Sequence, residues 1–498
     1  MTAVLSSPWL GARPRVACLI AALAGALLVC SFAPIGLYGL APVSLALLVH
    51  LWLSPLRPRD SAWIGFAFGM GLFTAGVSWV YVSLSVYGGM PPAVAGFATL
   101  LYCAFLSWPL ALAGYCQHRL AAGRAMKALC VIPAAWMIAE MLRGLGYTGF
   151  PWLVLGYSTV DTPLAGYAPI FGVYGVSMIT VVCSGLLVLL ASRPHRAWAA
   201  AGLVAVVGGG AFARTIEWTD PYGQPFIAAV LQGNVAQEMK FDPERYVKTL
   251  DTYARLATES QASLIVLPET AVPRFLDRVE PAYLNGLEAI ARRNGGDILI
   301  GVPHRRDRVT FFNSVISRGV SKPQVYSKVH LVPFGEFVLP GFGWIVNILQ
   351  IPMSDFTSGG KDQKPLEVAG QRVAMNICYE DVFGEEIIRP LPEATLLVNV
   401  SNMAWFGDSL APAQHLQMAR MRTIETGRAM LAATNTGMTA AIDRGGRVLG
   451  RLPQFAEGRL EAMVSGYSGA TPYVRMGNWP AIIIAIALVA LSVIRRKR

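Results

Sequence analysis

Long apolar stretches dominate the first part of the chain, and shorter apolar runs alternate with polar segments further on. A helix needs roughly 20 apolar residues to cross the hydrocarbon core of a bilayer. We therefore predict a polytopic α-helical membrane domain of eight spans, at Val16–Phe32, Leu37–Leu53, Ala62–Leu84, Ala93–Cys116, Ala128–Leu142, Ala168–Ala191, Ala197–Ala213 and Trp479–Ile494. The first stretch could alternatively be a signal peptide, but a second span follows at once and no small-residue cleavage site ends the first.

Between residues 214 and 475 the pattern predicts one α/β domain, which is long enough to bury a substantial core. Helices are expected over 243–259, 280–294 and 411–428, and Asp242 and Pro243 provide the start signal of the first. Short apolar runs predict strands at Phe226–Leu231, Ser263–Leu267, Asp297–Val302, Phe312–Ser317, Arg372–Ile377 and Thr395–Val400. The expected organisation is a seven-span bundle at 1–213, this domain at 214–475, and a final helix with a basic tail at 476–498.

Charge supports the membrane assignment and predicts its orientation. Hydrophobic residues make up 54% of the chain and charged residues only 14%, against about a quarter in an ordinary soluble protein. Basic residues lie in the segments that would be cytoplasmic if the N-terminus is cytoplasmic, which follows the positive-inside rule. The α/β domain is then expected on the outer side, which is the periplasm in a bacterium with two membranes. The net charge of +11 therefore does not indicate nucleic-acid binding.

Three features of the apolar stretches leave alternatives open. Glu140 and Arg143 lie three residues apart near the end of the fifth predicted span, as a structural ion pair or as a functional one. The aromatic segment Gly146–Tyr157 is either an interfacial belt or a loop lining a lipid entry route. The apolar segment Phe337–Met353 in the α/β domain is either core or a loop that touches lipid.

One thiol is set apart from the other six. Cys378 directly follows the predicted strand Arg372–Ile377, whereas the remaining cysteines lie in or at the ends of the apolar spans. A lone thiol cannot form a disulfide within its own domain, so Cys378 is either a buried apolar residue or a reactive one. Catalysis would need a base for its proton and a donor for an oxyanion. Glu269 and Lys328 follow other apolar runs and are candidates for these two roles, or else ordinary ion-paired residues.

Three short motifs carry a family resemblance. LPET (Leu267–Thr270), KVHLVPFGEF (Lys328–Phe337) and NICYED (Asn376–Asp381) resemble the Glu, Lys and Cys motifs of the nitrilase, or carbon-nitrogen hydrolase, superfamily. Within that superfamily the chain resembles the apolipoprotein N-acyltransferase family over nearly its whole length. The further motifs that carry this closer resemblance are GFPW (Gly149–Trp152), QGNVAQEMKFDP (Gln232–Pro243), WFGDS (Trp405–Ser409) and HLQMARMR (His415–Arg422).

The resemblance implies a nitrilase-like αββα sandwich for the α/β domain and a set of site residues. It makes Cys378 the nucleophile, Glu269 the general base and Lys328 the residue that aids the intermediate. Two departures are visible: Met403 stands where the family usually has Asp, and Phe241 stands where an aromatic residue, often Trp, is expected near the site. The supporting or substrate-binding residues it implies are Glu336, Tyr379, Glu380 and Phe241.

The activity implied by the resemblance is a ping-pong acyl transfer through a cysteine thioester. The donor would be a membrane phospholipid and the acceptor the α-amine of a diacylglyceryl-cysteine on an apolipoprotein, both held in the bilayer of the bacterial inner membrane. No metal, nucleotide or other cofactor is expected, because the chain contains no CxxC, HExxH or phosphate-binding glycine loop.

Three other functions fit part of the pattern. A membrane-tethered carbon-nitrogen hydrolase would use the same three residues with water as acceptor. A transporter with an inert outer domain is disfavoured by the scarcity of charge within the spans. A cysteine protease would require His330 or His415 as its base.

Overall fold

The computed structural model describes residues 13–54, 57–120, 122–146, 148–240, 242–338 and 355–494. These residues form two compact units. Among these residues, one unit takes in those within 13–81, 92–217 and 475–494, and the other takes in those within 82–91 and 218–474. The predicted residue Phe241 and most of the apolar segment Phe337–Met353 lie outside the described residues.

The first unit is helical. Its helices are α1 (Pro14–Leu28), α2 (Leu40–Trp52), α3 (Pro58–Gly76), α4 (Trp79–Val82), α5 (Pro92–Arg119), α6 (Arg124–Met126), α7 (Ile132–Arg143), α8 (Ala168–Leu190), α9 (Arg196–Ala213) and a C-terminal helix (Trp479–Ile494).

Five helical stretches of the described chain are long and apolar enough to cross a membrane, rather than the eight predicted. A sixth is obtained if Pro58–Gly76 and Trp79–Tyr87, which are bent by 53° at a short break, count as one span. The second predicted span is shorter than expected because α2 has 13 residues, which corresponds to about 20 Å of helix. The C-terminal helix is likewise a shorter apolar helix.

The Glu140–Arg143 pair has a structural role in the helical unit. Both side chains are buried, with 4.0 Å between Arg143 Nη2 and Glu140 Oε1. The main-chain N–H of Leu155 donates to Glu140 at 2.7 Å, and Arg143 donates to the main-chain carbonyl of Trp152 at 2.8 Å. The two charges therefore hold the aromatic segment, and residues 149–160 are buried rather than exposed as a belt.

The described residues of the second unit form twelve strands in two six-stranded sheets. The first sheet has the order β12-β1-β2-β3-β4-β5 and the second the order β11-β10-β9-β8-β7-β6. The strands are β1 (Thr219–Gln232), β2 (Leu264–Val266), β3 (Asp297–Arg305), β4 (Phe311–Gly319), β5 (Val325–Ser327), β6 (Leu366–Val368), β7 (Gln371–Ile377), β8 (Leu396–Ser401), β9 (Met430–Thr434), β10 (Ala440–Ile442), β11 (Val448–Arg451) and β12 (Gly458–Gly469).

The sheets pack face to face between two layers of helices. Side chains such as Val266 on the first sheet and Ile377 on the second form one core between the sheets. The outer face of the first sheet is covered through Leu250 and Leu287, and that of the second through Leu416. The helices of this unit are α10 (Pro243–Thr258), α11 (Pro281–Arg293), α12 (Gly384–Ile387), α13 (Ala411–Thr426) and α14 (Pro472–Met476). The α/β domain thus has the predicted layer order.

Strand direction determines where the polar side chains collect. Strands β1, β2 and β3 are parallel, as are β7, β8 and β9. In such sheets functional groups gather beyond the carboxyl ends of the strands. Glu269 follows β2, Lys328 follows β5 and Cys378 follows β7, so each of the three lies at such an end.

Candidate active site

Cys378 occupies a strained position at the end of β7. Its φ is +54°, in the left-handed region that non-glycine residues rarely adopt. A short 3₁₀ turn, Cys378–Val382, begins at this residue. Asn399 donates its side-chain N–H to the Cys378 carbonyl at 3.1 Å. The sharp reversal at the strand end keeps the thiol half-buried and on the wall of a cavity.

Glu269 and Lys328 meet in that cavity. The distance from Lys328 Nζ to Glu269 Oε1 is 3.5 Å, and the distance from Lys328 Nζ to Glu336 Oε2 is 2.8 Å. Lys328 is only 1% exposed and Glu269 7%. The ammonium is therefore held between two carboxylates, and all three residues line the same cavity as Cys378.

Two asparagines that the sequence did not single out organise the carboxylates. Asn313, near the start of β4, donates from one side-chain nitrogen to Glu269 at 2.7 Å and to Glu336 at 2.8 Å. The main-chain N–H of Asn402, after β8, donates to the other oxygen of Glu269 at 2.8 Å. The Glu269 carboxylate is thus fixed by donors from both sheets and by Lys328.

Glu380 connects the cysteine and lysine loops without lining this cavity. Its carboxylate accepts from the main-chain N–H of Ile377 at 2.6 Å, of Val329 at 2.6 Å and of His330 at 3.1 Å. These residues flank Cys378 on one side and Lys328 on the other. Burial raises the pKa of Glu380 to about 7. Its support of the site is structural: it holds the two loops at a fixed separation.

The surroundings of Cys378 shift the pKa of its thiol. Burial raises the pKa of Cys378, the charge of Glu269 raises it further, and Lys328 lowers it. Burial alone would lower the pKa of Lys328, but Glu336 and Glu269 outweigh burial and raise it, so the ammonium stays charged. On balance the pKa of the Cys378 thiol is raised, which favours the protonated thiol over the thiolate.

Comparison with known proteins assigns the family. Residues 24–186 match the family described as apolipoprotein N-acyltransferase N-terminal domain, and residues 227–473 match carbon-nitrogen hydrolase. Apolipoprotein N-acyltransferase from Nitrosomonas europaea is 49% identical over 92% of this chain and 94% of its own length. The protein of the same name from Methylococcus capsulatus is 45% identical over 97% of each chain. The chain belongs to the apolipoprotein N-acyltransferase family. It is therefore an enzyme, and the predicted family resemblance is confirmed.

The cavity of this acyltransferase has a volume of about 250 Å³ and is lined by both polar and apolar residues. Its lining includes charged and polar residues such as Glu269 and Lys328 as well as apolar ones, namely Leu84, Val332, Phe334, Trp405 and Phe406. Leu84 belongs to the segment Val82–Pro91, which packs within the same unit as the thiol. In that segment Ser83 donates to the Trp405 carbonyl at 2.8 Å, and the rings of Tyr87 and Trp405 lie 6.1 Å apart.

Other predicted residues lie beside the cavity rather than on it. Tyr379 is buried edge-on against Phe383, with 5.2 Å between ring centroids. His330 stacks on Phe383 at 3.8 Å, and its Nδ1 is 3.4 Å from Glu386. Neither Tyr379 nor His330 is among the described residues that line the cavity.

His415, the other candidate base of a protease, and Met403, which stands where the family usually has Asp, also lie near the site. His415 lies 2.9 Å from Asp381 and 3.4 Å from the main-chain carbonyl of Cys378, so it supports the turn that carries the thiol. The geometry therefore gives no support to a protease that uses a histidine base. Met403 is buried against Gly437, while Asn402 and Trp405 on either side of it line the cavity.

A close approach of two chain segments positions Glu269. A Cβ at Gly301 on β3 would lie 2.2 Å from the Pro268 carbonyl oxygen and 2.9 Å from the Glu269 Cα. We expect Gly301→Ala to displace the Glu269 turn and to reduce acyltransferase activity about 100-fold, since small misplacements of a reacting group have effects of this size. Steady-state rates and thermal unfolding of the variant test this. Gly286→Ala is the matched control, because nothing lies within 4 Å of its added methyl group; full activity of Gly301→Ala would contradict the positioning argument.

Proposed function

We propose that this enzyme transfers a fatty acyl chain from a membrane phospholipid to the α-amine of the diacylglyceryl-cysteine of an apolipoprotein, through a thioester on Cys378. The observation that carries the proposal is the convergence of a thiol, a carboxylate and an ammonium in one cavity with apolar walls. The apolar lining residues suit a fatty chain, and the polar ones suit an ester carbonyl. The names of the relatives support the lipoprotein as acceptor.

In the first half-reaction the Cys378 sulfur attacks the ester carbonyl carbon of the phospholipid. Glu269 takes the thiol proton, and the Lys328 ammonium stabilises the oxyanion of the tetrahedral intermediate. The bond between the carbonyl carbon and the glycerol oxygen breaks, and Glu269 returns the proton to that oxygen. The products are a lysophospholipid and an acyl thioester on Cys378.

In the second half-reaction the neutral α-amine of the acceptor attacks the thioester carbonyl. An N–C bond forms, a proton of the attacking nitrogen passes to Glu269, and the C–S bond breaks. The thiolate that leaves takes the proton back from Glu269. The product is an amide, and the enzyme is regenerated without ATP or any other cofactor.

Both substrates are lipids, so we place the reaction at a bilayer surface. We propose the bundle 1–213 and the final segment 476–498 as the membrane part and 214–475 as a catalytic domain in the periplasm, in keeping with the basic residues that flank the apolar stretches. Counting the bent pair as one span, the two shorter apolar helices would complete an eight-span layout.

Mass spectrometry of the purified protein after incubation with phospholipid tests the proposal. We expect one acyl group on the peptide that carries Cys378, its loss with Cys378→Ala, and its transfer to a diacylated lipopeptide added afterwards. An adduct on another residue would overturn the proposed intermediate. Release of free fatty acid with no N-acylated peptide would instead identify a membrane-tethered hydrolase.

A further inference from the structure

A second lysine lies in the cavity and has no part in the mechanism above. Lys240 follows the 3₁₀ turn Gln237–Met239 and lines the cavity together with Cys378. It is 4% exposed. Its ammonium donates to the main-chain carbonyl of Glu269 at 3.1 Å.

The two buried lysines of the site differ in their partners. Lys328 has carboxylate oxygens of Glu336 at 2.8 Å and of Glu269 at 3.5 Å. Lys240 forms no ion pair with any carboxylate in the described part of the chain. A buried charge is ordinarily paired, because leaving water without a counter-charge is costly. The carbonyl of Glu269 satisfies one of the three donors of Lys240 and supplies no negative charge.

The need to position Glu269 does not explain why a charged lysine is buried at position 240. The Glu269 carboxylate is already fixed by Asn313, by the main-chain N–H of Asn402 and by Lys328. A neutral donor would serve the carbonyl as well as an ammonium does. Burial lowers the pKa of Lys240 to about 8, although the charge of Glu269 opposes this shift. The group is therefore still mainly protonated at neutral pH and would gain from a bound anion.

We propose that Lys240 binds the phosphate of the phospholipid donor and thereby selects donors that carry a phosphate. The inference rests on the proposed function, since it concerns the donor of that reaction. The phosphate and the reacting ester are attached to the same glycerol, so a cation in the same cavity as the thiol suits the phosphate when the ester reaches Cys378. Charge-assisted hydrogen bonds of this kind are among the stronger ones in proteins.

The test compares two donors that differ only in the headgroup, phosphatidylethanolamine and diacylglycerol with the same acyl chains, presented in the same detergent micelles. Acylation of Cys378 is followed by mass spectrometry over time. We expect the wild-type enzyme to have a kcat/KM about tenfold or more higher for the phospholipid. Lys240→Met should abolish this preference by raising KM for the phospholipid much more than for diacylglycerol, and Lys240→Arg should retain it.

Several outcomes would overturn the inference. If the wild-type enzyme showed no preference between the two donors, the inference would be wrong. This measurement needs no variant and therefore stands even if Lys240→Met fails to fold. Equal loss with both donors would show that Lys240 acts through the Glu269 turn instead. Failure of the proposed function is separately visible, because Cys378 of the wild-type enzyme would then remain unacylated with either donor.

Discussion

Glu269→Gln is expected to slow acylation of Cys378 about 10²- to 10⁴-fold, the usual range for a lost general base, while lowering the pKa of the thiol. The carboxylate of Glu269 raises the pKa of Cys378 through its charge, and a neutral amide removes that effect. Lys328, which lowers the pKa, keeps its partner Glu336 at 2.8 Å. The variant should thus contain more thiolate at a given pH and still react more slowly with an ester.

Two measurements separate these effects. The pH dependence of alkylation by iodoacetamide reports the pKa of the thiol, and its midpoint should move to lower pH in Glu269→Gln. The acylation rate with phospholipid reports proton transfer to the leaving group and should fall. Glu367→Gln, at an exposed position on β6, is the matched control and should change neither. A midpoint that moves upward, or acylation at the wild-type rate, would remove Glu269 from the role of base.

The positions of the principal residues were predictable because each follows a short apolar run. The run Arg372–Ile377 predicts the strand β7 and places Cys378 at its end, as observed. Glu269 follows β2 in the same way. Parallel strands bring their carboxyl ends to one edge, so local sequence was enough to suggest that such residues meet. Their roles in catalysis remain predictions.

Asn313 and Lys240 could not be found in this way. Asn313 lies inside the predicted strand Phe312–Ser317, and nothing in an isolated strand indicates that one amide nitrogen will reach two carboxylates. From the sequence alone, Lys240 would be expected to be an exposed lysine. It is buried because its segment packs over Glu269. In both cases the decisive partner is distant in sequence.

Hydropathy located the apolar stretches, but it did not predict the length or continuity of the helices within them. The stretch Leu37–Leu53 is mostly apolar, but its helix begins only at Leu40 and ends at Trp52. The stretch Ala62–Leu84 contains a break after Gly76 and a bend of 53°. Hydropathy measures the transfer of side chains into lipid and carries no information on whether the backbone continues as a helix.

Lys328→Met is expected to destabilise the α/β unit by about 3–5 kcal/mol, the usual cost of removing one partner from a buried ion pair. Glu269 and Glu336 would keep their hydrogen bonds to Asn313 but would have no counter-charge between them. The pKa of Cys378 should rise, since Lys328 lowers it in the native protein. Acyl transfer should fall about 10²- to 10³-fold through loss of the group that stabilises the oxyanion.

A second substitution separates the stability effect from the catalytic one. Lys328→Met combined with Glu336→Gln removes one of the two unpaired carboxylates, so the free energy of unfolding should recover much of the loss. The acylation rate should not recover, because the amide at position 336 cannot supply the positive charge that the oxyanion requires. Denaturant unfolding and acylation kinetics on both variants, with Glu336→Gln alone as the control, test this. Recovery of stability and rate together would mean that Lys328 serves the fold and that the oxyanion is stabilised by another group.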